Sequence, residues 1–319
     1  MPNAHVFSVA PGEKPDTLLV TSLGSPELKR TYASLTPVSA AGKTLLFAYE
    51  KGQTNFDVYE VSEASPYLKP TESKPPIKKP VDIINSFILG NAPFLCTYTA
   101  ENGVFELYSI ANDSSLSTPY EFYRNHELAI SHGFTTVKIF NQFGQVVVLG
   151  YRSDTGYVAI YTVGVIVSSP TAGLPPLQML PVWAHPWAPG WTRFAFFTFG
   201  GEPFFLKTNT KQLNVNIDHI LDTLGSGTVE VGTGKAMQEQ LPNALAITNV
   251  EPFTLGNGQP YFVTFISKSD DAALSGKGTV NRIHADCLGW TQVSEFDAPV
   301  GSTVVAPITS SEGVYLIFC

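Results

Sequence analysis

The chain has 319 residues, a formal charge of −8, an isoelectric point near 5.2, 44% apolar residues and only 14% charged ones. Nineteen lysines and arginines against 27 acids disfavour nucleic acid and anionic membrane surfaces as partners, because both need clustered cations. No apolar stretch reaches the roughly 20 residues of a spanning helix, and the opening MPNAHVFSVAPGEKP lacks the basic-then-apolar order of a secretion signal. The expectation is a soluble, cytoplasmic protein with no membrane span.

The 24 prolines and 26 glycines are spread along the chain, which suits many short strands and argues against long helices. Six β-prone runs, each with an aromatic ring, recur: Leu45–Glu50, Phe94–Thr99, Val146–Tyr151, Phe194–Phe199, Tyr261–Ile266 and Val314–Cys319. Their starts lie 49, 52, 48, 67 and 53 residues apart, and counting from Val314 off the end and round to Leu45 gives 50. A strand-built period of about 50 residues is the mark of a propeller blade, and the wrap-around interval closes the ring. The fold class expected is therefore all-β: one domain over 1–319, a six-bladed β-propeller with N- and C-terminal strands sharing one blade.

In chain order, His5–Ala10 and Thr17–Ser22 are the outer strands of the last blade, whose inner strands come from the C-terminus. Each of the six runs is read as the second strand of its blade, with Asp57–Ser62, Phe105–Ile110, Tyr157–Val163, Phe204–Thr208 and Thr279–His284 as third strands. Asp82–Leu89, Thr135–Phe140, Leu245–Val250 and Thr303–Ile308 are read as first strands. Pro66–Pro80, with its prolines and four lysines, is an expected surface loop. Thr210–Pro242 is an expected insertion, in which Asp218–Asp222 and Lys235–Leu241 suggest short helices.

The densest unusual cluster is PVWAHPWAPGW, Pro181–Trp191, with three of the four tryptophans. As a loop it offers Trp183, Trp187 and Trp191 as walls for a flat apolar ligand and His185 as a proton-handling group; the alternative is that the rings plug a blade junction. Lys207 alternates onto the strand face of Phe205, where an ammonium can polarise a carbonyl or snorkel to water. Arg124, His132 and Arg282 are weaker candidates for hydrogen bonds to a ligand oxygen. Cys96, Cys287 and Cys319 have no metal-like spacing, and no P-loop, H-E-x-x-H, dinucleotide fingerprint or nucleophile elbow is present, so neither metal nor cofactor is expected.

Three functions remain open. A lectin would repeat an aromatic platform and an arginine in each blade, which the tryptophan clustering weakens. An enzyme would use one asymmetric pocket, in keeping with a repeat degraded at one place. A scaffold would present 66–80 and 210–242 to a protein partner.

A propeller of this length carrying WTRFAFFTFGGEPFFLKTN (191–209) and VNIDHILDTLGSGTVEV (215–231) resembles the lectin-like β-propeller hetero-Diels-Alderases of fungal tropolonic sesquiterpenoid biosynthesis. The resemblance implies dehydration of a hydroxylated tropolone or phenol to an o-quinone methide, which then adds across an alkene of a humulene-type terpene. That reaction needs a donor for the leaving hydroxyl, for which His185 is the first candidate, a hydrogen bond or positive charge on the heterodiene oxygen, for which Lys207, Arg124 and Arg282 are candidates, and aromatic walls for the terpene; it needs no cofactor. The partners are then small apolar substrates, a tropolone or phenol and a sesquiterpene, with a homodimer left open. The alternative reading is a fungal sugar-binding lectin of the six-bladed propeller type.

Overall fold

A computed structural model describes residues 2–14, 16–40, 42–54, 56–112, 120–142, 144–165, 177–209, 214–223, 228–231, 237–240, 243, 246–310 and 313–319. Every regular element among them is a strand. The chain opens with β1 (His5–Pro11) and β2 (Leu18–Gly24) and then builds blade after blade. The first blade is β3 (Ser34–Ala40), β4 (Lys43–Tyr49), β5 (Phe56–Val61) and β6 (Leu68–Pro70). The second is β7 (Ile83–Leu89), β8 (Ala92–Thr99), β9 (Val104–Asn112) and β10 (Tyr120–Ala129), and the third β11 (Thr136–Gln142), β12 (Gln145–Tyr151), β13 (Tyr157–Val165) and β14 (Leu177–Pro186). The fourth runs β15 (Trp191–Phe199), β16 (Glu202–Asn209), β17 (Asn214–Thr223), β18 (Thr228–Val231), with β19 (Met237–Gln240) also paired to β17. The fifth is β20 (Asn249–Thr254), β21 (Pro260–Ile266), β22 (Lys277–Ile283) and β23 (Trp290–Asp297). The sixth joins β24 (Val305–Thr309) and β25 (Val314–Phe318) to β1 and β2 in the order β2-β1-β25-β24. The pairings described residue by residue are antiparallel, and the six sheets form a six-bladed β-propeller.

The shared blade is as expected: Val6 lies opposite Ile317 and Ser8 opposite Tyr315, so β1 is an interior strand although it comes first in the chain. Second strands read as continuous apolar runs because both their faces are covered. Leu45 to Tyr49 in β4 and Val146 to Leu149 in β12 are all essentially inaccessible.

The fourth blade corrects two expectations. Phe194–Phe199 belongs to its first strand and Glu202–Asn209 to its second, so counting this blade from Phe204 replaces the intervals 48 and 67 by 58 (146 to 204) and 57 (204 to 261). The presumed insertion holds the third strand of that blade and its outer strands. The helix expected at Asp218–Asp222 is part of β17, where Ile217 and Asp218 are both buried, as in a strand covered on two faces. Residues 237–240 of the second expected helix form β19, and the rest of it lies outside the described residues. The first strand of the fifth blade is also displaced, to Asn249–Thr254.

The chain divides into two compact units, Met1–Thr31 with Gly190–Thr223 and Glu230–Cys319, and Tyr32–Pro189 with Leu224–Val229. In the second unit, Asn85 Nδ2 donates to the Val137 carbonyl at 2.9 Å and Ser86 Oγ to the Pro37 carbonyl at 2.6 Å, tying first strands of successive blades. A second device repeats at the ends of β4, β8 and β12. Tyr49, Tyr98 and Tyr151 donate their hydroxyls to the carbonyls of Val81 (2.5 Å), Ser131 (2.9 Å) and Ala188 (2.7 Å), each in the connection that leaves the blade. Residues 71–77, expected to be a surface loop, are an extended strap in which Thr71, Ser73 and Ile77 are buried and Glu72, Lys74 and Pro76 exposed. Ser73 Oγ accepts the Tyr120 amide at 3.0 Å, which ties the strap to β10.

Candidate functional site

The second unit contains an open cleft of about 500 Å³ between the end of β10, the connection to β11, and strands β13 and β14. Along β13 the pattern Tyr157-x-Ala159-x-Tyr161 puts two rings on one strand face with a small residue between them, which leaves a hollow. A β-bulge in β14, where Ile160 and Tyr161 face Trp183 and Pro181, turns this edge strand around the hollow. Met179, Trp183 and Ile130 complete the apolar wall, and none of the lining residues is charged.

Its polar side-chain groups are the hydroxyls of Ser131, Tyr157 and Tyr161 and the indole N–H of Trp183. Tyr161 Oη accepts the Ser131 amide at 3.0 Å and donates to Ser131 Oγ at 2.9 Å. The Ser131 carbonyl is taken by Tyr98, whose oxygen also accepts the Phe134 amide at 3.1 Å, so the turn 131–134 is pinned at both ends. The Arg152 guanidinium carbon lies 5.1 Å from the Tyr157 ring centre and 5.9 Å from that of Phe134.

The sequence candidates fall into separate groups. The segment 181–191, expected to be a loop, is mostly edge strand: Trp183 and His185 lie within β14, with Pro181 and Pro186 at positions that an outermost strand tolerates. Alternation stacks the His185 ring on Trp183 at 5.6 Å, and Trp187 follows at 6.2 Å from Trp183 and 6.1 Å from Tyr151. His185 is exposed, Trp183 and Trp187 are half-buried, and Trp183 lines the cleft. His132 is exposed in the pinned turn, next to Ser131.

Trp191, Phe205 and Lys207 belong to the other unit. Alternation puts Phe205 and Lys207 on one face of the fourth blade, as expected, and Phe194 and Phe196 of β15 stack on Phe205. The Lys207 ammonium is 4.6 Å from the Trp191 ring centre, 5.5 Å from that of Phe205, and 2.9 Å from Asp218 Oδ2. Lys207 and Asp218 are only 7% and 4% exposed. Burial pushes the ammonium pKa down and the carboxyl pKa up, and their mutual attraction offsets part of each shift. The lysine neither snorkels nor stands free; it is a buried half of an ion pair.

Arg124 sits on β10, the outermost strand of its blade, in ion pairs with Glu106 (2.5 Å) and Glu127, which hold its pKa up. Arg282 on β22 pairs with Asp16. Each of these two arginines is thus matched by a carboxylate. Reasoning from sequence missed Ser131, Tyr157, Tyr161 and Met179. The ring-small-ring alternation in β13 was the available signal. Among the described residues no group of three His, Cys, Asp or Glu side chains is placed to hold a metal ion, and no helix is long and apolar enough to cross a membrane.

No protein-family model matches the chain, and no curated protein sequence does. Solved structures with similar folds include a protein of Bacteroides fragilis NCTC 9343 provisionally assigned as a 6-phosphogluconolactonase, with TM-score 0.55 and 10% identity over 99% of this chain and 87% of that one. A second such protein, from Bacteroides uniformis ATCC 8492, gives TM-score 0.53 and 10% identity over 99% and 88%. An exo-β-1,3-galactanase from Clostridium thermocellum gives 0.51 and 6% over 86% and 64%. At such identities the likeness establishes the propeller and no activity. None of the three is named as a cyclase or as a lectin.

Proposed function

We propose that the chain is a cofactor-independent cyclase that uses the cleft beside Trp183. In the proposed reaction a hydroxymethyl tropolone or related phenol loses water to give an o-quinone methide. The oxygen and exocyclic carbon of that heterodiene then add across a terpene alkene, forming one C–O and one C–C bond. The observation that carries this reading is the lining of the cleft: mostly rings and aliphatic groups, with neutral hydroxyls and the Trp183 indole N–H as its polar side-chain groups, and no charge. Such a wall favours a flat, neutral, apolar ligand and a reaction accelerated by orientation, where holding two partners in attack geometry is worth roughly 7–11 kcal/mol.

The same lining argues against the chemistry named in the fold neighbours. Glycoside hydrolysis needs two carboxylates about 5–9.5 Å apart, and a phosphorylated sugar needs cations; the cleft offers neither. His185 is exposed and is not one of the lining residues; stacked on Trp183, which is, it is assigned to protonating the departing hydroxyl at the edge of the cleft. The cleft hydroxyls supply the hydrogen bonds that lower the energy of the heterodiene, and Lys207 is left to its ion pair with Asp218.

The test is to incubate the purified protein with a hydroxymethyl tropolone and humulene and to follow adduct formation by chiral chromatography with mass detection. The expected result is one enantiomer, formed faster than in buffer, with His185→Ala abolishing the acceleration. A racemic adduct at the buffer rate would overturn the reading.

A further inference from the structure

We infer that Tyr161 and Ser131 form a hydroxyl relay that gives the cleft one directed hydrogen-bond donor, aimed at a neutral carbonyl oxygen of the ligand. The inference rests on the reading of the cleft as a ligand site and adds which group contacts the ligand oxygen. It follows from accounting for Ser131. Its amide hydrogen goes to Tyr161 Oη and its carbonyl accepts from Tyr98. Tyr161, already accepting that amide, directs its own hydrogen to Ser131 Oγ at 2.9 Å. The serine hydroxyl accepts there, so its remaining hydrogen is the one polar hydrogen of this residue left to point outward, and Ser131 lines the cleft.

Two features make it a better donor than an ordinary serine. A hydroxyl that accepts one hydrogen bond donates a second more strongly, because the chain polarises along its length. The backbone of Ser131 is also fixed from both neighbouring blades, by Tyr98 of β8 and Tyr161 of β13, so little ordering is left to occur when a ligand binds. Tyr161 is then a positioning residue and Ser131 the group that touches the ligand. The ligand class follows: a neutral, planar ring carrying a carbonyl, rather than a carboxylate or phosphate, since no cation lines the cleft to balance a charge.

The experiment uses the full chain and 2-methoxytropone labelled with ¹³C at the carbonyl, a neutral probe that cannot react. Infrared difference spectra give the bound carbonyl stretch, and quenching of tryptophan fluorescence gives affinity. In the wild type the stretch is expected to fall below its value in an aprotic solvent. Ser131→Ala should return it toward that value and weaken binding about 2- to 10-fold, the loss of one neutral hydrogen bond. Tyr161→Phe, checked by thermal melting for an intact fold, should return the stretch partway with Ser131 still present. Trp183→Ala should weaken binding through lost wall area, with the stretch of the bound fraction unchanged. An unchanged stretch in Ser131→Ala, with Trp183→Ala still weakening binding, would refute the relay and leave the cleft standing. No binding by the wild type, or binding indifferent to Trp183→Ala, would remove the cleft and the relay together.

Discussion

Replacing Lys207 by Met leaves the Asp218 carboxylate, 4% exposed, without the ammonium now 2.9 Å away. Removing one partner of a buried pair typically costs about 3–5 kcal/mol, because the remaining charge is desolvated and uncompensated. Asp218→Leu alone should also destabilise, for it takes the carboxylate from a buried ammonium that lies over the Trp191 and Phe205 rings. The double variant should fall within about 1 kcal/mol of wild type or exceed it, since a methionine can lie along those same rings. Urea unfolding of the four proteins closes the cycle, with an expected coupling energy of about 3 kcal/mol or more.

The sign of the pH dependence supplies a second check on the same pair. Asp218 titrates above the ordinary 3.8, so its contribution to stability is full below that value and is lost as pH rises through the folded pKa. Lys207 titrates below the ordinary 10.5, so its contribution is full above 10.5 and is lost as pH falls through the folded pKa. Between the two the pair is a net cost. Wild type should therefore lose stability relative to the double variant from acid to neutral pH and regain part of it toward pH 10.5. Single variants within about 1 kcal/mol of wild type, or a double variant as unstable as the two singles summed, would refute this account.

Each of Tyr49→Phe, Tyr98→Phe and Tyr151→Phe should cost about 1–3 kcal/mol in denaturant unfolding, since each strips a connecting carbonyl of its donor; a loss confined to one of the three would end the idea of a repeated clamp. Tyr32→Phe should cost a similar amount, because it removes a 2.7 Å hydrogen bond to Asp57, itself 2% exposed. Deleting residues 1–24 removes β1 and β2 and bares the edge of β25, so the product should be insoluble or unfolded by circular dichroism; a soluble product with an unchanged melting temperature would contradict the closure. Arg124→Ala should shift stability by less than about 1 kcal/mol in the same urea assay, as its ion pairs lie at the surface.

The ring was legible because the second strands are buried on both faces, and runs such as Leu45–Glu50 and Val146–Tyr151 stand out without knowledge of their partners. The same criterion slipped in the fourth blade, where the second strand carries the charged Lys207 and the more apolar first strand was taken for it. Asp218 misled in the same way: a buried acid beside His219 and Ile220 looked like the start of a helix, whereas its place in β17 depends on a cation from the neighbouring strand. Prolines at 181, 186 and 189 suggested a loop, although an outermost strand needs hydrogen bonds on one side only. The cleft was illegible beyond Trp183, because a hollow between β10 and β14 depends on which blades adjoin, and Ser131 carries no pattern of its own.

The ordering of the sixth sheet sets a schedule for biosynthesis. β1 and β2 are made before the other strands described, yet β1 pairs with β25, the last of them. Until then this hairpin, with Val6, Phe7 and Val9 destined for the interior, must wait with a sticky edge uncovered. Quality control by chaperones should therefore concentrate on nascent chains in which β25 is not yet made, and a premature stop just before β25 should be as damaging as one near β12.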